Sequence, residues 1–253
     1  MRYFMRLAFN GTPFFGWQMQ PKDVSVQETI EKALSLLLRV RDEQGQTQRI
    51  AITGCGRTDT GVHARDYTAH FDCPVELDEA RRHQLVNKLN SFLPKEIVIF
   101  DIFPVADTAH ARFDAIDRTY RYYVNIQKDA FSFPFAYRVF EKLDVEKMNE
   151  AAQLLLRNED FTSFSKVHTQ VNNMRCKVTQ AQWIQKGGQL VFEITANRFL
   201  RNMVRAIVGT LLQVGKGCLS VEDFQQIILK KDRCEAGDSA PAHALLLENV
   251  RYE

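Results

Sequence analysis

Segments typical of strands and helices follow one another in a similar order in the two halves of this 253-residue chain. The alternating opening segment RYFMRLAFN predicts a strand, and after a loop rich in glycine and proline a capping box of Ser25 and Glu28 predicts a helix. In the second half RTYRYYVNI predicts a strand, and Asp144 predicts the start of the next helix. Gly187-Gly188 joins two β-prone segments in a predicted hairpin. The order and the glycine turns indicate a mostly antiparallel α+β fold and disfavour a doubly wound one.

The two halves are expected to form two similar lobes with helices packed on the strands. No low-complexity linker separates them, so we expect the lobes to share one mixed, mostly antiparallel sheet. The first lobe is predicted to comprise residues 1–104 and the second residues 105–253. A hydrophobic content of 45% is enough for a substantial core in a chain of this length.

The positive and negative charges balance over the whole chain, but the basic residues are concentrated in one part of the sequence. There are 33 Lys and Arg side chains against 31 Asp and Glu, a net charge of +2. Residues 166–216 contain eight basic side chains, and Glu193 is their only acidic one. A charged partner responds to local fields over about 8–10 Å, so this block predicts a polyanionic partner. The alternative is an ordinary solvated surface.

The cysteine pattern and the hydropathy pattern indicate a cytoplasmic protein. The five cysteines are scattered and include no C-x-x-C pair, which disfavours both a structural zinc site and a disulfide framework. No apolar signal segment follows Met1, and the apolar runs are far shorter than the ~20 residues that span a membrane. We therefore expect reduced thiols and no association with a membrane.

The most unusual segment is GCGRTDTGVHAR, residues 54–65. Arg57 and Asp59 are two residues apart, so an extended backbone places both side chains on one side, where they can pair or hold a ligand together. The alternative is a tight turn with a local hydrogen bond between Asp and Thr. A phosphate-binding loop is disfavoured, because the segment lacks both G-x-G-x-x-G and G-x-x-x-x-G-K and carries an acidic residue.

The strand RTYRYYVNI presents Tyr120 on the same face as Tyr122, Val124 and Ile126. Val124 and Ile126 identify this as a core face, and Tyr120 lies near the strand start, where its ring can emerge at the rim of the core. There it can stack on a nucleobase, which contributes roughly 1–3 kcal/mol. The alternative is a buried tyrosine with its hydroxyl group satisfied.

The segment NRFLRNMVRAIVGTLL predicts a long amphipathic helix from about residue 199 to residue 213. At 100° per residue, one side of this helix gathers four polar residues within roughly 100°. These residues are Arg198, Arg201, Asn202 and Arg205. Arg205 lies well inside the helix, and a partly buried guanidinium needs an anion. The alternative is again a solvated face.

Together, and in order over nearly the whole chain, these segments resemble the TruA family of tRNA pseudouridine synthases. FNGTPFFGWQMQ is similar to the family's YDGT-x-F-x-GWQ-x-Q, with Phe9 and Asn10 in place of Tyr-Asp. GCGRTDTGVHA is similar to the catalytic signature GRTDAGVHA, and APAHALLL carries Ala244 where the family commonly has Gly. The resemblance implies a pseudouridine synthase fold with a central basic cleft. It also implies a homodimer that isomerises uridines at tRNA positions 38, 39 and 40, in the anticodon stem-loop, without a cofactor.

The resemblance also implies roles for individual residues. Asp59 corresponds to the catalytic aspartate and Arg57 to the arginine that displaces and holds the target base. Tyr120 corresponds to the tyrosine that packs on the uracil, and Arg205 to the arginine that pairs with the catalytic carboxylate. Three further residues are expected to contact the substrate: His63, Arg198 and Arg201. Whether Asp59 attacks C6 of the base or C1′ of the ribose stays open.

Two other classes of function are compatible with part of the sequence. A non-catalytic RNA-binding module accounts for the basic block and the tyrosine-rich strand, but it has no need of an Arg–Asp pair framed by glycines. An enzyme that metabolises nucleotides or phosphate esters is favoured only by the glycine-rich turn.

Overall fold

The computed structural model describes residues 1–41, 44–166 and 173–253 and shows an α+β protein. By its internal contacts the chain divides into two compact units. The first unit comprises Met1–Ile116 and Asn249–Glu253, and the second comprises Asp117–Glu248. Both units combine helices with mostly antiparallel strands, which confirms the predicted fold class.

In the first unit, β1 lies between β3 and β4, β2 pairs with β3, and all of these pairs are antiparallel. The elements are β1 (Arg2–Phe9), α1 (Val26–Leu38), β2 (Ile52–Gly54), β3 (His63–Asp72), α2 (Glu79–Phe92) and β4 (Ile97–Val105). The core includes Leu7 of β1, Leu34 of α1 and Leu89 of α2, each fully buried.

Helix α1 begins where the sequence predicts. The Ser25 hydroxyl group accepts a hydrogen bond from the Glu28 N–H at 3.2 Å, which satisfies one of the unpaired amides of the first turn. Val26 and Ile30 are buried, as the predicted apolar stripe requires. Glu31 is also buried, which the apolar pattern does not indicate. Its carboxylate accepts from the Arg49 Nε at 2.8 Å, so the buried charge is paired.

In the second unit, β8 lies between β5 and β7 in antiparallel pairs, and β6 pairs with β5 in parallel. The elements are β5 (Asp117–Asn125), β6 (Tyr137–Arg138), α3 (Val145–Gln153), β7 (Val178–Lys186), β8 (Gln189–Ala196), α4 (Met203–Gly215), α5 (Val221–Lys230) and β9 (Leu245–Arg251). The predicted hairpin turns at Gly187, whose φ is +57°. The last residues of β9 belong to the first unit.

The first unit extends beyond residue 104, the predicted edge of the first lobe, which lies inside β4. Hydrogen bonds tie the segment after β4 to this unit: the Ala111 N–H donates to His70 Nδ1 at 3.1 Å, and the Ile116 N–H donates to the Arg251 carbonyl oxygen at 2.8 Å. The Tyr252 hydroxyl group donates to the Ala111 carbonyl oxygen at 2.5 Å. The chain end therefore returns to the unit in which the chain began.

The predicted long helix starts later than the sequence pattern indicates. Helix α4 begins at Met203, because Asn202 has a left-handed backbone with φ +67° and cannot belong to a right-handed helix. The Asn202 side-chain amide donates to the Ser239 hydroxyl group at 2.6 Å. The prediction that Arg198 and Arg201 share a helical face with Arg205 is therefore wrong.

The basic block of residues 166–216 is partly neutralised in space. Arg175 forms an ion pair with Glu159 at 3.0 Å, and Lys216 forms one with Glu141 at 2.7 Å. Both acids lie outside the counted block, so a charge count along the sequence overstates the local excess. Residues 167–172 of this block lie outside the described residues.

The five cysteines, which all lie in the described part of the chain, are thiols and form no disulfide there, and Cys55, Cys73 and Cys176 are buried. Among the helices in the described part of the chain, none has both the length and the apolar character needed to cross a membrane.

His70 on β3 makes the stability of the first unit dependent on pH. Burial lowers the pKa of His70 from 6.5 to about 4, and the charges of Arg2 and His110 act in the same direction, while Asp72 and Asp114 oppose them. The neutral imidazole accepts the Ala111 N–H through Nδ1, which a protonated ring cannot do. The unfolded chain therefore binds the proton more readily than the folded chain does. As a result, His70 contributes its full stabilisation of the folded state above about pH 6.5 and loses it as the pH falls towards 4.

We expect the free energy of unfolding to fall as the pH is lowered from 6.5 to about 4. Urea denaturation at a series of pH values measures this slope. His70→Asn should flatten it, and His83→Gln on the exposed side of α2 is the matched control. An unchanged slope in His70→Asn would assign the acid sensitivity to other groups.

Candidate active site

The segment that carries Arg57 and Asp59 is a loop, residues 55–62, between β2 and β3; we call it the Asp loop. Thr58 is buried, Arg57 is exposed and Asp59 is half-buried, so the two charged residues flank an inward-facing one. The Val62 N–H donates to the Asp59 carbonyl oxygen at 3.1 Å, which closes a turn. The loop thus combines a tight turn with more exposed Arg and Asp side chains.

The loop that follows β1, residues 10–24, supports the Asp loop; we call it the opening loop. The Trp17 N–H donates to the Thr58 carbonyl oxygen at 3.3 Å, and the Gly61 N–H donates to the Phe14 carbonyl oxygen at 3.4 Å. These are main-chain bonds on either side of Asp59, so they fix the backbone from which the carboxylate projects.

Glycines allow the two loops to touch through their backbones. A Cβ atom on Gly11 would lie 2.0 Å from the Val62 carbonyl oxygen, and one on Gly16 would lie 2.4 Å from the Thr58 carbonyl oxygen. Gly16 also has φ +84°, a conformation that other residues rarely adopt. The opening loop therefore needs glycine at both places.

Two aromatic residues complete this support, and the sequence pattern indicates a role for neither of them. Trp17 stacks on Tyr67 with ring centroids 4.1 Å apart, and the Tyr67 hydroxyl group donates to the Gly56 carbonyl oxygen. A Cβ atom on Gly54 would lie 2.6 Å from the Trp17 ring, so the strand before the Asp loop packs directly on the indole. In the sequence, the feature that could have indicated Trp17 is its place as an aromatic residue in a glycine-rich loop.

Helix α1 holds both segments that lead to this site. The Gln27 side chain accepts from the Met19 N–H at 3.0 Å and donates to the Ile52 carbonyl oxygen at 2.9 Å. Glu31, one turn further along, accepts from the Ile52 N–H at 2.9 Å. The helix therefore fixes the opening loop and β2 relative to each other.

His63 lies inside this arrangement, although the sequence prediction makes it a substrate contact. It is 2% exposed, and its Nδ1 accepts from the Gly11 N–H at 2.9 Å. The imidazole is therefore part of the support between the opening loop and the first residue of β3.

In the second unit, Tyr120 lies on β5 as the strand pattern predicts. Tyr122 and Val124 on the same face are fully buried, whereas Tyr120 is half-buried. The Tyr120 ring makes an edge-to-face contact with Phe199 at a centroid distance of 5.1 Å. Phe199 is a second aromatic residue at this position, and the strand pattern does not indicate it.

Arg205 is half-buried on the first turn of α4 and is held by the main chain of residue 240. Its Nε donates to the Ala240 carbonyl oxygen at 2.7 Å, and the Ala240 N–H donates to the Arg205 carbonyl oxygen at 3.0 Å. One turn later, a Cβ atom on Gly209 would lie 1.8 Å from the Asp238 carbonyl oxygen. Helix α4 therefore lies directly against the backbone of residues 238–240.

Tyr122 reaches the same segment from β5. Its hydroxyl group donates to the Pro241 carbonyl oxygen at 2.9 Å. Burial raises the pKa of Tyr122 far above its ordinary value, although the charge of Arg205 acts in the opposite direction. Residues 240–241 therefore bring the arginine of α4 close to the strand that carries Tyr120.

Arg198 and Arg201 precede α4 on either side of Phe199, the ring that contacts Tyr120. Arg198 is half-buried near Cys176: burial raises the pKa of that thiol to about 11, and the arginine charge opposes the rise. Arg201 is exposed, and its carbonyl oxygen accepts from the Lys166 N–H at 3.1 Å.

The described residues contain no group of three or more His, Cys, Asp or Glu side chains that could hold a metal ion.

Comparison with known proteins gives consistent matches. The family model described as tRNA pseudouridine synthase matches residues 151–253. Over 99% of this chain and 97% of the relative, the sequence is 53% identical to tRNA pseudouridine synthase A of Porphyromonas gingivalis. It is 49% identical to the protein of the same name from Parabacteroides distasonis over 99% of this chain and 96% of the relative. The identity to the Bacillus subtilis protein of that name is 38% over the full length of both chains.

Proposed function

Because the chain belongs to the tRNA pseudouridine synthase A family, we propose that it isomerises uridine to pseudouridine in tRNA. The observation that carries this proposal is the Asp loop. It displays Arg57 and Asp59 from a backbone fixed on both sides by the opening loop. A module that only binds RNA has no use for a half-buried carboxylate held in this way.

The reaction requires one group that forms a transient bond or stabilises a cation. The N1–C1′ bond breaks, the uracil rotates, and C5 bonds to C1′; the C5 proton is released and N1 gains one. Asp59 in its ionised form acts as the nucleophile, at C6 or at C1′, or stabilises the developing positive charge. Substrate and product have the same atoms, so the isomerisation requires no cofactor or energy source.

Arg57 is assigned the displacement of the target base. A stacked base must leave the helix before its N1–C1′ bond is accessible, at a cost of a few kcal/mol. Arg57 is exposed beside Gly56, and its planar guanidinium can occupy the space that the base vacates. The same cation can hold the everted nucleotide near Asp59.

The second unit is assigned the residues that hold the base and keep the carboxylate charged. Tyr120 stacks on the uracil; its half-buried position at the edge of a buried strand face supports this. The resemblance in sequence assigns to Arg205 the role of favouring the ionised form of the catalytic carboxylate. Arg198 and Arg201 contact the RNA backbone, whereas His63 positions the Asp loop.

The substrates are proposed to be the uridines at positions 38, 39 and 40 of the tRNA anticodon stem-loop, and the reaction is proposed to take place in the cytoplasm. The resemblance in sequence supports this assignment. Pseudouridine mapping of tRNA from cells with and without the gene tests it, because the three positions should lose the modification together.

Release of tritium from tRNA that carries C5-labelled uridine tests the activity itself. Each isomerisation event should release one label to water, because the C5 proton is lost when C5 bonds to the ribose. A module that only binds RNA would retain the label on the RNA. A nucleotide-metabolising enzyme would instead bind free uridine monophosphate tightly.

We also propose a homodimer, formed through an exposed phenylalanine segment, residues 131–140, of the second unit. Phe131, Phe133 and Phe140 are 94%, 67% and 84% exposed. Together with Phe135 they present roughly 500 Å² of apolar surface, given that an aromatic side chain buries about 150–250 Å². A standard interface buries about 800 Å² on each partner, so a second copy of this segment can supply the core of one.

Replacing Phe131, Phe133 and Phe140 together with serine should convert the dimer to a monomer in light-scattering measurements. Phe92→Ser, an exposed phenylalanine on α2, is the matched control and should leave the molar mass unchanged. If the wild-type protein is monomeric, or if the triple variant stays dimeric, the exposed phenylalanine segment is not a dimer interface.

A further inference from the structure

A turn of the first unit, residues 109–114, presents an aromatic ring to solvent. Phe113 is 73% exposed, although exposing a phenylalanine forgoes the gain from burying it. The Arg112 guanidinium lies over its ring at 5.6 Å from the centroid. The His110 ring contacts Phe113 at a centroid distance of 4.3 Å. A cation and an exposed ring are thus assembled in one place.

The turn is anchored to three other parts of the first unit. The Arg2 guanidinium donates to the Ala109 carbonyl oxygen at 2.9 Å. The Ala111 N–H donates to His70 Nδ1 at 3.1 Å, and the Ala111 carbonyl oxygen accepts from the Tyr252 hydroxyl group at 2.5 Å. Bonds to β1, β3 and the chain end therefore fix the backbone on which Phe113 stands.

Bonds inside the turn add to this order. The His110 N–H donates to the Asp114 carboxylate at 2.7 Å, and the Asp114 N–H donates to the His110 carbonyl oxygen at 3.0 Å. His110 Nδ1 accepts from the Arg112 and Phe113 N–H groups at 3.1 Å and 3.3 Å. The exposed ring therefore has a preorganised backbone, which lowers the entropy cost of binding a partner.

The acids near this turn accept hydrogen bonds from other groups, which limits their repulsion of an anionic ligand. Asp72 accepts two bonds from the Arg2 guanidinium, at 2.9 Å and 2.8 Å. Asp114 accepts the His110 N–H within the turn, and Asp107 accepts the Arg2 N–H at 3.1 Å. Their repulsion of a phosphate near Arg112 is thereby reduced.

We propose that Phe113 and Arg112 form a second RNA contact, in which Phe113 stacks on an unpaired base and Arg112 binds the adjoining phosphate. The proposal rests on the proposed function, because it requires an RNA substrate. An aromatic ring stacks on any base, and an arginine binds phosphate through its planar fork.

This contact is remote from the reacting uridine. His70, which anchors the turn, is seven residues along β3 from His63, beside the Asp loop. At about 3.3 Å per residue the two histidines are roughly 20 Å apart. The base that stacks on Phe113 is therefore a different nucleotide from the target. Loss of the Phe113 ring should therefore weaken tRNA binding and leave the rate of the chemical step unchanged.

The test measures the affinity for a tRNA transcript in an Asp59→Ala background, so that binding is separate from turnover. Adding Phe113→Ala should raise Kd by about 5- to 150-fold, the range for one stacked base. Phe113→Trp should restore most of the affinity, while Phe113→Leu, which is apolar but cannot stack, should not. Phe92→Ala is the matched control and should leave Kd unchanged.

Two further measurements separate stacking from a structural effect. Arg112→Ala should reduce the slope of log Kd against log salt by about one, as expected for one phosphate contact. With Asp59 intact, Phe113→Ala should raise KM and leave the single-turnover rate at saturating tRNA unchanged.

The proposal is overturned if Phe113→Ala leaves Kd within about twofold of its parent, or if Phe113→Leu restores binding as well as Phe113→Trp. It is also overturned if Phe113→Ala changes self-association and not RNA affinity, which would identify a protein contact. Failure of the proposed function has a different signature, because the unaltered protein would then release no tritium.

Discussion

Asp59→Ala should abolish pseudouridine formation while leaving the protein folded and able to bind tRNA. The carboxylate is half-buried on a loop held by main-chain bonds, so its removal leaves the supporting contacts of the opening loop in place. Removal of the central nucleophile of an enzyme commonly lowers kcat by about 10⁴-fold or more. Tritium release under single-turnover conditions measures this loss, and filter binding measures the affinity for tRNA.

Asp66→Asn provides the matched control for this change. Asp66 is also an acid near the start of β3, but it forms a surface ion pair with Arg6 at 3.4 Å. Such pairs contribute about 0–1 kcal/mol, so this variant should turn over normally. Turnover by Asp59→Ala within about tenfold of the wild type would remove the carboxylate from the centre of the mechanism.

Gly16→Ala should produce the next largest loss, although residue 16 carries no reactive group. The added Cβ would lie 2.4 Å from the Thr58 carbonyl oxygen, so the residue next to Asp59 must move. A displacement of about 1 Å from a reactive geometry can cost about 10²-fold in rate. We expect kcat to fall by about that factor, with a smaller change in KM.

The control must separate this displacement from the strain of a left-handed backbone. Gly45 has φ +77°, close to the +84° of Gly16, but a Cβ atom there would meet nothing within 4 Å. Gly45→Ala should therefore lose stability, by about 1–2 kcal/mol, and retain its kcat. Equal losses of kcat in the two variants would show that the contact with Thr58 does not matter for the reaction.

The features that the sequence predicts correctly depend on neighbouring residues. Ser25 and Asp144 each accept a hydrogen bond from the N–H three residues later, and each stands directly before a helix. The turn at Gly187 and the alternation of Tyr122 and Val124 on β5 are equally local. In each case the spacing of the residues determines the geometry.

The features that the sequence does not predict depend on residues far away along the chain. Asn202 makes α4 begin later than the helical pattern indicates, because its backbone is left-handed and its side chain binds Ser239. His63 is buried against Gly11, and Trp17 stacks on Tyr67, contacts that span about fifty residues. Periodicity carries no information about such pairs, so the support of the Asp loop becomes visible only in three dimensions.

Helix α4 and residues 238–240 meet through main-chain atoms, and this affects how the protein can change during evolution. The carbonyl oxygens of Asp238 and Ala240 belong to every amino acid, whereas the space opposite Asp238 exists only because residue 209 is glycine. The exposed side chain at 238 is thus free to diverge among lineages without moving the guanidinium of Arg205. Natural variation should therefore accumulate at residue 238 and be excluded from residue 209.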